Sequence, residues 1–285
     1  MKRKKYAVFT IDVESFCDTD CISRSSHAIN VDLLDGFDEY LQILDRHQIK
    51  GTLFTVGSLA TRIPDKLKPH LLNGHRLALH NYEHLPPIQI PVEQFREQLQ
   101  KSKQTLEELF QVPIEGFRAP FFSMDMQHLQ VLRDLGFTYD SSHIRFRKAR
   151  HTVPLNLSDF KEVRPGIFCN NNFFEFGLSH HKLFGHDYPV SGGGYVRLSN
   201  WQFMKTLIKQ YLRKQDYYVF YLHPFELSKH KIPIPNDLKS YDRYYLKRGM
   251  RNYGNHIEQL INLLKKHNFE FVTFEELTQL LSHKL

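Results

Sequence analysis

Apolar positions along the chain switch repeatedly between two spacings. Residues 6–13 (YAVFTIDV) form an apolar run of strand length. Within residues 33–47, Leu34, Phe37, Leu41 and Leu44 recur at helical spacing. Residues 50–56 predict a second strand. A helix should follow, capped by Ser58 and ending near Asn73-Gly74. Residues 76–80 predict a third strand, and Phe95, Leu99, Leu106 and Leu109 place an apolar stripe on a long helix. A fourth strand is expected over 114–118 and a helix over 124–135, stopped by Gly136. Residues 137–139 then predict another strand. From Asp140 to Arg197 the helical period is lost, and Asn, His, Phe and Gly accumulate. Short strands and loops are expected there. Regular order returns with a helix over 201–213, a strand over 217–222, a polar loop over 223–250, a helix over 252–267, a strand over 269–273 and a terminal helix.

Alternating strands and helices imply an α/β fold, with parallel strands joined by right-handed crossovers. Seven or eight such units suit a closed or nearly closed barrel, which carries its active groups at the carboxyl ends of the strands. One domain over residues 1–285 is expected, with residues 140–197 inserted to shape a groove.

Composition narrows the class. With 285 residues, 41% hydrophobic and 24% charged, the chain is an ordinary globular sequence. No apolar run approaches the roughly 20 residues of a membrane span. A secretory leader is not expected, because the segment after the basic residues 1–5 carries Asp12 and Glu14. Three cysteines, Cys17, Cys21 and Cys169, are read as free thiols in a reducing compartment. The net charge of +7 includes clusters at residues 2–5 and 145–150. No nucleic-acid motif accompanies them, so they are read as solvated surface that could attract an inner membrane leaflet.

Candidate chemistry gathers where the predicted strands stop. Asp12 and Glu14 are two apart on a strand, so both carboxylates aim the same way. His80 and His84 follow the third strand; read as one helical turn, their i, i+4 spacing converges on a single ion. Two imidazoles and one carboxylate are a usual catalytic set for Zn²⁺. Arg118 ends the fourth strand, suited to an ion pair or an anionic ligand. Pro120 stiffens the turn after it, which would aim the Phe121 N–H into the site. His223 ends a later strand and suits proton transfer near neutral pH. The Gly192-Gly193-Gly194 run would let backbone approach a ligand, with Tyr195 available to stack on a sugar. Trp201 is read as core. His180, His181 and His186 are weighed as a second metal site and set aside.

Together these segments resemble the polysaccharide deacetylase family, also called the NodB homology domain or carbohydrate esterase family 4. The likeness spans roughly residues 6–274. Thr10-Ile11-Asp12-Val13-Glu14, the Gly192–Leu198 stretch GGGYVRL and His223-Pro224-Phe225-Glu226 resemble the variant associated with exopolysaccharide or O-antigen synthesis. The resemblance implies a distorted (β/α)7 TIM-like barrel and a metal-dependent hydrolase removing N-acetyl groups from amino sugars. It implies Asp12 as base, Arg118 as its orienter, His223 as general acid and Asp140 as the acid that tunes that His. It implies Glu14, His80 and His84 as ligands of a divalent ion, with Zn²⁺ expected and Co²⁺, Ni²⁺ or Mn²⁺ as alternatives. Phe121 would supply an oxyanion donor, and Leu222 would line the acetyl pocket. Asn81 and Glu83 depart from the family pattern, which makes Glu83 a further candidate ligand. The implied partner is an N-acetylated glycan or sugar precursor, acted on in the cytoplasm or at the inner membrane. Two other readings remain: a silent sugar-binding or assembly subunit, and a small amide or ureide hydrolase of the same fold.

Overall fold

The computed structural model describes residues 3–27, 29, 31–145 and 155–283. Lys2 and most of the 145–150 cluster (Arg147, Lys148, Arg150) lie outside them. Among the described residues, twelve strands form: β1 (Lys5–Val13), β2 (Thr52–Thr55), β3 (Arg76–Leu79), β4 (Gly116–Phe117), β5 (Tyr139–Asp140), β6 (Lys161–Arg164), β7 (Ile167–Asn170), β8 (Phe173–Phe176), β9 (His180–Leu183), β10 (His186–Pro189), β11 (Tyr217–Phe220) and β12 (Phe269–Phe271). The main sheet runs β11-β1-β2-β3-β4-β5-β8-β7-β6, with β12 also on β1. β1 is long enough to serve three neighbours. Its first half pairs with β11 and β12, and its second half pairs with β2.

The fold is therefore α/β with a curled, mixed sheet. It differs from strict repetition of βα units at one place. Among its described residues, the crossover from β5 to β8 holds no helix but the antiparallel strands β6 and β7, which join the same sheet. Those strands lie inside the irregular 140–197 stretch. Its remaining strands, β9 and β10, make a separate hairpin.

Strand alternation sorts the core into two compartments. Ala7, Phe9, Ile11 and Val13 of β1 join Leu53, Leu77, Leu79, Phe220 and Leu222 against the surrounding helices. Tyr6 and Val8 instead meet Phe54, Ala78, Tyr139, Phe174, Phe176, Tyr217 and Val219 on the concave side. Phe274, Leu277 and Leu281 of the terminal helix Phe274–Ser282 close that compartment from one end. Gly116 is required here, because a Cβ at that position would meet the Tyr139 ring at 1.9 Å. Thr10 and Asp12 continue the concave parity of β1 towards the carboxyl end.

Two local expectations are corrected. Ser58 caps nothing: it sits within the short helix Gly57–Ala60, and the next helix, Pro64–Leu72, starts at its own Pro N1 without a side-chain cap. The polar loop after β11 also holds a helix, Ser240–Lys247. Trp201 belongs to the core as expected, and the three cysteines are free. No helix among the described residues is long and apolar enough to cross a membrane.

Candidate active site

Asp12, Glu14, His80, His84, Phe121, Tyr195 and His223 line one cavity of about 260 Å³ at the carboxyl ends of the parallel strands. Phe122, Tyr221, Phe225, Tyr241 and Tyr245 add aromatic side chains to its walls, and Asp20 and Asp242 add carboxylates. Asp12 is 2% exposed and lies 2.6 Å from Arg118 Nη1. Arg118 is fully buried and donates as well to Thr10 Oγ1, the Ser141 carbonyl and Ser141 Oγ. Its guanidinium stacks 4.0 Å from the Phe54 ring centre. A fork held by that many partners leaves the Asp12 carboxylate little rotational freedom.

The Arg118 backbone has a second task. His80 Nδ1 donates to the Arg118 carbonyl at 2.7 Å. That bond fixes the tautomer and turns the Nε2 lone pair towards Glu14, 3.7 Å away. His84 Nε2 stands 2.7 Å from the same Glu14 oxygen, Oε2. The ligand atoms of the three residues all lie within 4.8 Å of one another. Burial alone would push the Glu14 carboxyl up, but His84 and His223 hold it well below the ordinary carboxylate range. Burial works against a charged His84 as well, and Glu14 raises it. A buried carboxylate converging on two imidazoles, one with its tautomer preset by a carbonyl, fits a divalent cation.

How His84 arrives differs from the helical turn expected. Residues 80–85 form an irregular loop in which Asn81 adopts φ +63, a conformation Asn tolerates better than most residues. Asn81 Oδ1 accepts from Tyr82 N, and its Nδ2 donates to the Leu85 carbonyl. The Asn that departs from the family pattern therefore shapes the loop returning His84 to the site. Glu83 is exposed and faces the adjoining cavity beside Arg62 and Gln89, so it neither crowds the site nor joins Glu14, His80 and His84.

His223 stands on the opposite wall, and its partner is Glu226. His223 Nδ1 lies 3.3 Å from Glu226 Oε2, while Glu226 Oε1 accepts from Arg197 Nε at 2.9 Å. Arg197 is 2% exposed and Glu226 fully buried. Burial would lower His223, yet Glu14, then Glu226, lift it to about 9. Asp140, expected in this role, is elsewhere. It follows Tyr139, whose ring fills the concave compartment, so alternation sends its carboxyl to the other face. There it pairs in register with Glu175, and both carboxyls accept from Ser142 N. Burial lifts Asp140, and Glu175 still further.

Leu222 needs the same correction. Tyr221 and His223 line the cavity, whereas Leu222, between them in sequence, is fully buried among core side chains on the helix side. Phe121 lines the cavity: it takes φ +57 after Pro120, and its ring packs edge-on against His84 at 4.8 Å. The glycine run serves the protein's own wall. A Cβ at Gly192 would meet the Tyr221 carbonyl at 2.1 Å, and one at Gly194 the Tyr245 ring at 2.4 Å.

His180, His181 and His186 form no metal-compatible group among the described residues, but Asp45, His70 and His75 do. That group escaped the sequence reading because its members come from separate elements. His75 Nδ1 accepts from Gly51 N at 3.0 Å, which leaves the proton on Nε2 to donate to Asp45 at 3.2 Å. Asp45 also holds Lys50 at 3.1 Å. Asp45, His75 and Lys50 thus form a hydrogen-bonded staple.

Residues 23–139 match the family model described as polysaccharide deacetylase, and residues 154–279 match a domain of unknown function, DUF3473. A peptidoglycan deacetylase-like protein of Gibberella zeae is 34% identical over 109 residues, covering 38% of this chain and 32% of that protein. The peptidoglycan deacetylase of Helicobacter pylori is 27% identical over 123 residues, covering 43% and 41%. The aligned stretches thus span about a third and two fifths of these relatives. A crystal structure of a Mycobacterium smegmatis protein described as a polysaccharide deacetylase superposes with a TM-score of 0.62 at 18% identity, over 100% of this chain and 93% of the other. A pseudoenzyme of the CE4 family from Bacillus anthracis gives 0.53 at 13% identity, over 98% and 66%. The family match and the curated relatives support a polysaccharide deacetylase domain, and the solved structures share its fold.

Proposed function

We propose that the protein is a metal-dependent hydrolase that removes N-acetyl groups from amino sugars of a surface polysaccharide or its precursor. One observation carries this reading. Glu14, His80 and His84 converge beside an Asp12 clamped by Arg118, with His223 on the facing wall. A divalent cation held by those three side chains, Zn²⁺ foremost, would polarise the acetyl carbonyl and make water acidic enough to attack near neutral pH.

The chain's own groups then divide the proton work. Asp12 takes the proton of the attacking water, and Arg118 keeps that carboxylate aimed. The Phe121 N–H is assigned to the oxyanion; removing one such donor costs about 10²–10³ in rate. His223, charged at neutral pH and braced by Glu226, delivers a proton to the departing sugar nitrogen. Acetate and a free amine result. Tyr195 supplies a ring for sugar stacking, and we assign the 140–197 stretch a part in shaping the groove through it. The likeness of TIDVE, GGGYVRL and HPFE to the exopolysaccharide and O-antigen variant supports the surface-glycan substrate.

The test is acetate release from N-acetylated amino-sugar oligomers by protein whose metal content is measured. Wild type should release acetate, and Asp12→Asn should lose about 10²–10⁴ of that rate with its metal retained. No metal and no acetate would instead favour a silent sugar-binding or assembly subunit. Acetate-free turnover of a small amide or ureide would identify the other hydrolase class.

A further inference from the structure

The β9–β10 hairpin stands apart from the main sheet, and packing within the chain does not explain its tip. Its two turn residues are Phe184 and Gly185, with φ of +49 and +80. A two-residue turn with positive φ at both positions favours Asn-Gly, and a bulky aromatic there is strained. Phe184 is 90% exposed, so no buried contact offsets that strain.

Charge gathers along the hairpin strands. Arg145, His180, His181, Lys182, Asp187 and Lys214 are among the side chains lining a cavity of about 250 Å³. Three fixed cations there face one carboxylate. The cavity shares no lining residue with the reactive one. The hairpin is anchored on the helix Trp201–Lys214 through His181 Nε2 and Gln210 Oε1, 3.1 Å apart. That helix presents Lys209, Arg213 and Lys214 to solvent and leaves Phe203 49% exposed.

Exposed rings on cation-bearing elements call for a partner offering negative charge and an apolar layer together. A soluble polyanion would satisfy the cations and leave the rings in water. A bilayer with anionic headgroups satisfies both, since aromatic side chains settle at the headgroup boundary and basic side chains are drawn to the surface potential. We propose that the β9–β10 hairpin docks the protein on an anionic lipid bilayer, with Phe184 entering the headgroup layer and Arg145, Lys182 and Lys214 meeting lipid phosphate. Docking here is independent of what the reactive cavity hydrolyses.

Sedimentation with vesicles tests this directly. Wild type should pellet with phosphatidylcholine vesicles containing about one third phosphatidylglycerol, and not with phosphatidylcholine alone; added salt should release it. Phe184→Ser should weaken partitioning about tenfold. Lys182→Gln with Lys214→Gln should weaken it roughly fivefold for each cation removed. Thermal melting of each variant should match wild type, because both sites are exposed. The proposal is overturned if wild type ignores the anionic vesicles, if it binds both vesicle types equally, or if folded Phe184→Ser binds as wild type does. Release by soluble polyglutamate with no Phe184 dependence would assign the cations to a polyanion and likewise overturn it.

Discussion

The His223 imidazole and the Glu226 carboxylate face each other at 3.3 Å, His223 capping the short 3-10 turn Pro224–Leu227 that carries Glu226. Glu226 Oε2 also accepts the His223 backbone N–H at 3.1 Å. One carboxylate therefore fixes both the ring and the chain that carries it. Arg197, 29 residues upstream, closes the set from behind.

Glu226→Gln should move the alkaline limb of kcat/KM to lower pH. Under the proposed mechanism His223 donates a proton that it holds up to about pH 9 with help from Glu14 and Glu226. A cation held by Glu14, His80 and His84 would offset the Glu14 charge, leaving the Glu226 share to decide the limb. The expected loss is about tenfold in kcat/KM near pH ~8.5, and smaller on the acid side. A pH–rate profile with an unmoved limb would separate His223 from this carboxylate.

Arg197→Met should destabilise the fold by about 3–5 kcal/mol, because it strands a buried Glu226. Two further bonds, from Arg197 Nη1 to the Tyr245 and Arg248 carbonyls, go with it. Denaturant unfolding reads the cost. Adding Glu226→Gln should recover part of it, since the stranded charge disappears.

Chelation should remove the bound cation and expose the histidine charges to pH. In the metal-free protein His223 is raised from 6.5 to about 9. A raised folded pKa adds stability that is complete below about pH 6.5 and lost as pH climbs through 9. Melting temperature of the chelated form should therefore fall over that window, and the fall should be blunted in His223→Gln. His84→Ala should lower the retained metal, as measured by elemental analysis.

Leu222→Ala distinguishes a core residue from a pocket residue. Leu222 is fully buried on the helix side, so the cost should be about 2–5 kcal/mol of stability with KM unchanged. Tyr221→Ala, which opens the cavity wall itself, should change KM. Reversed results would return the acetyl pocket to Leu222.

The sequence by itself determined the order of strands and helices, because burial on two faces imposes spacings visible in one dimension. It also determined that Asp12, Glu14, His80, Arg118 and His223 sit where strands stop, since strand ends follow from apolar runs. What the tertiary structure decided were matters of facing and partnership. Parity within β5 turned Asp140 away, parity within β11 turned Leu222 away, and Glu226 took the place beside His223 because a 3-10 turn folds it back. The Asn81 turn that returns His84 depends on a left-handed residue, which apolar spacing does not encode. Pairings such as Arg197 with Glu226 or Asp140 with Glu175 join elements 29 and 35 residues apart. They exist only once the sheet has curled, because the distance between two side chains is a property of the packed chain rather than of their separation along it.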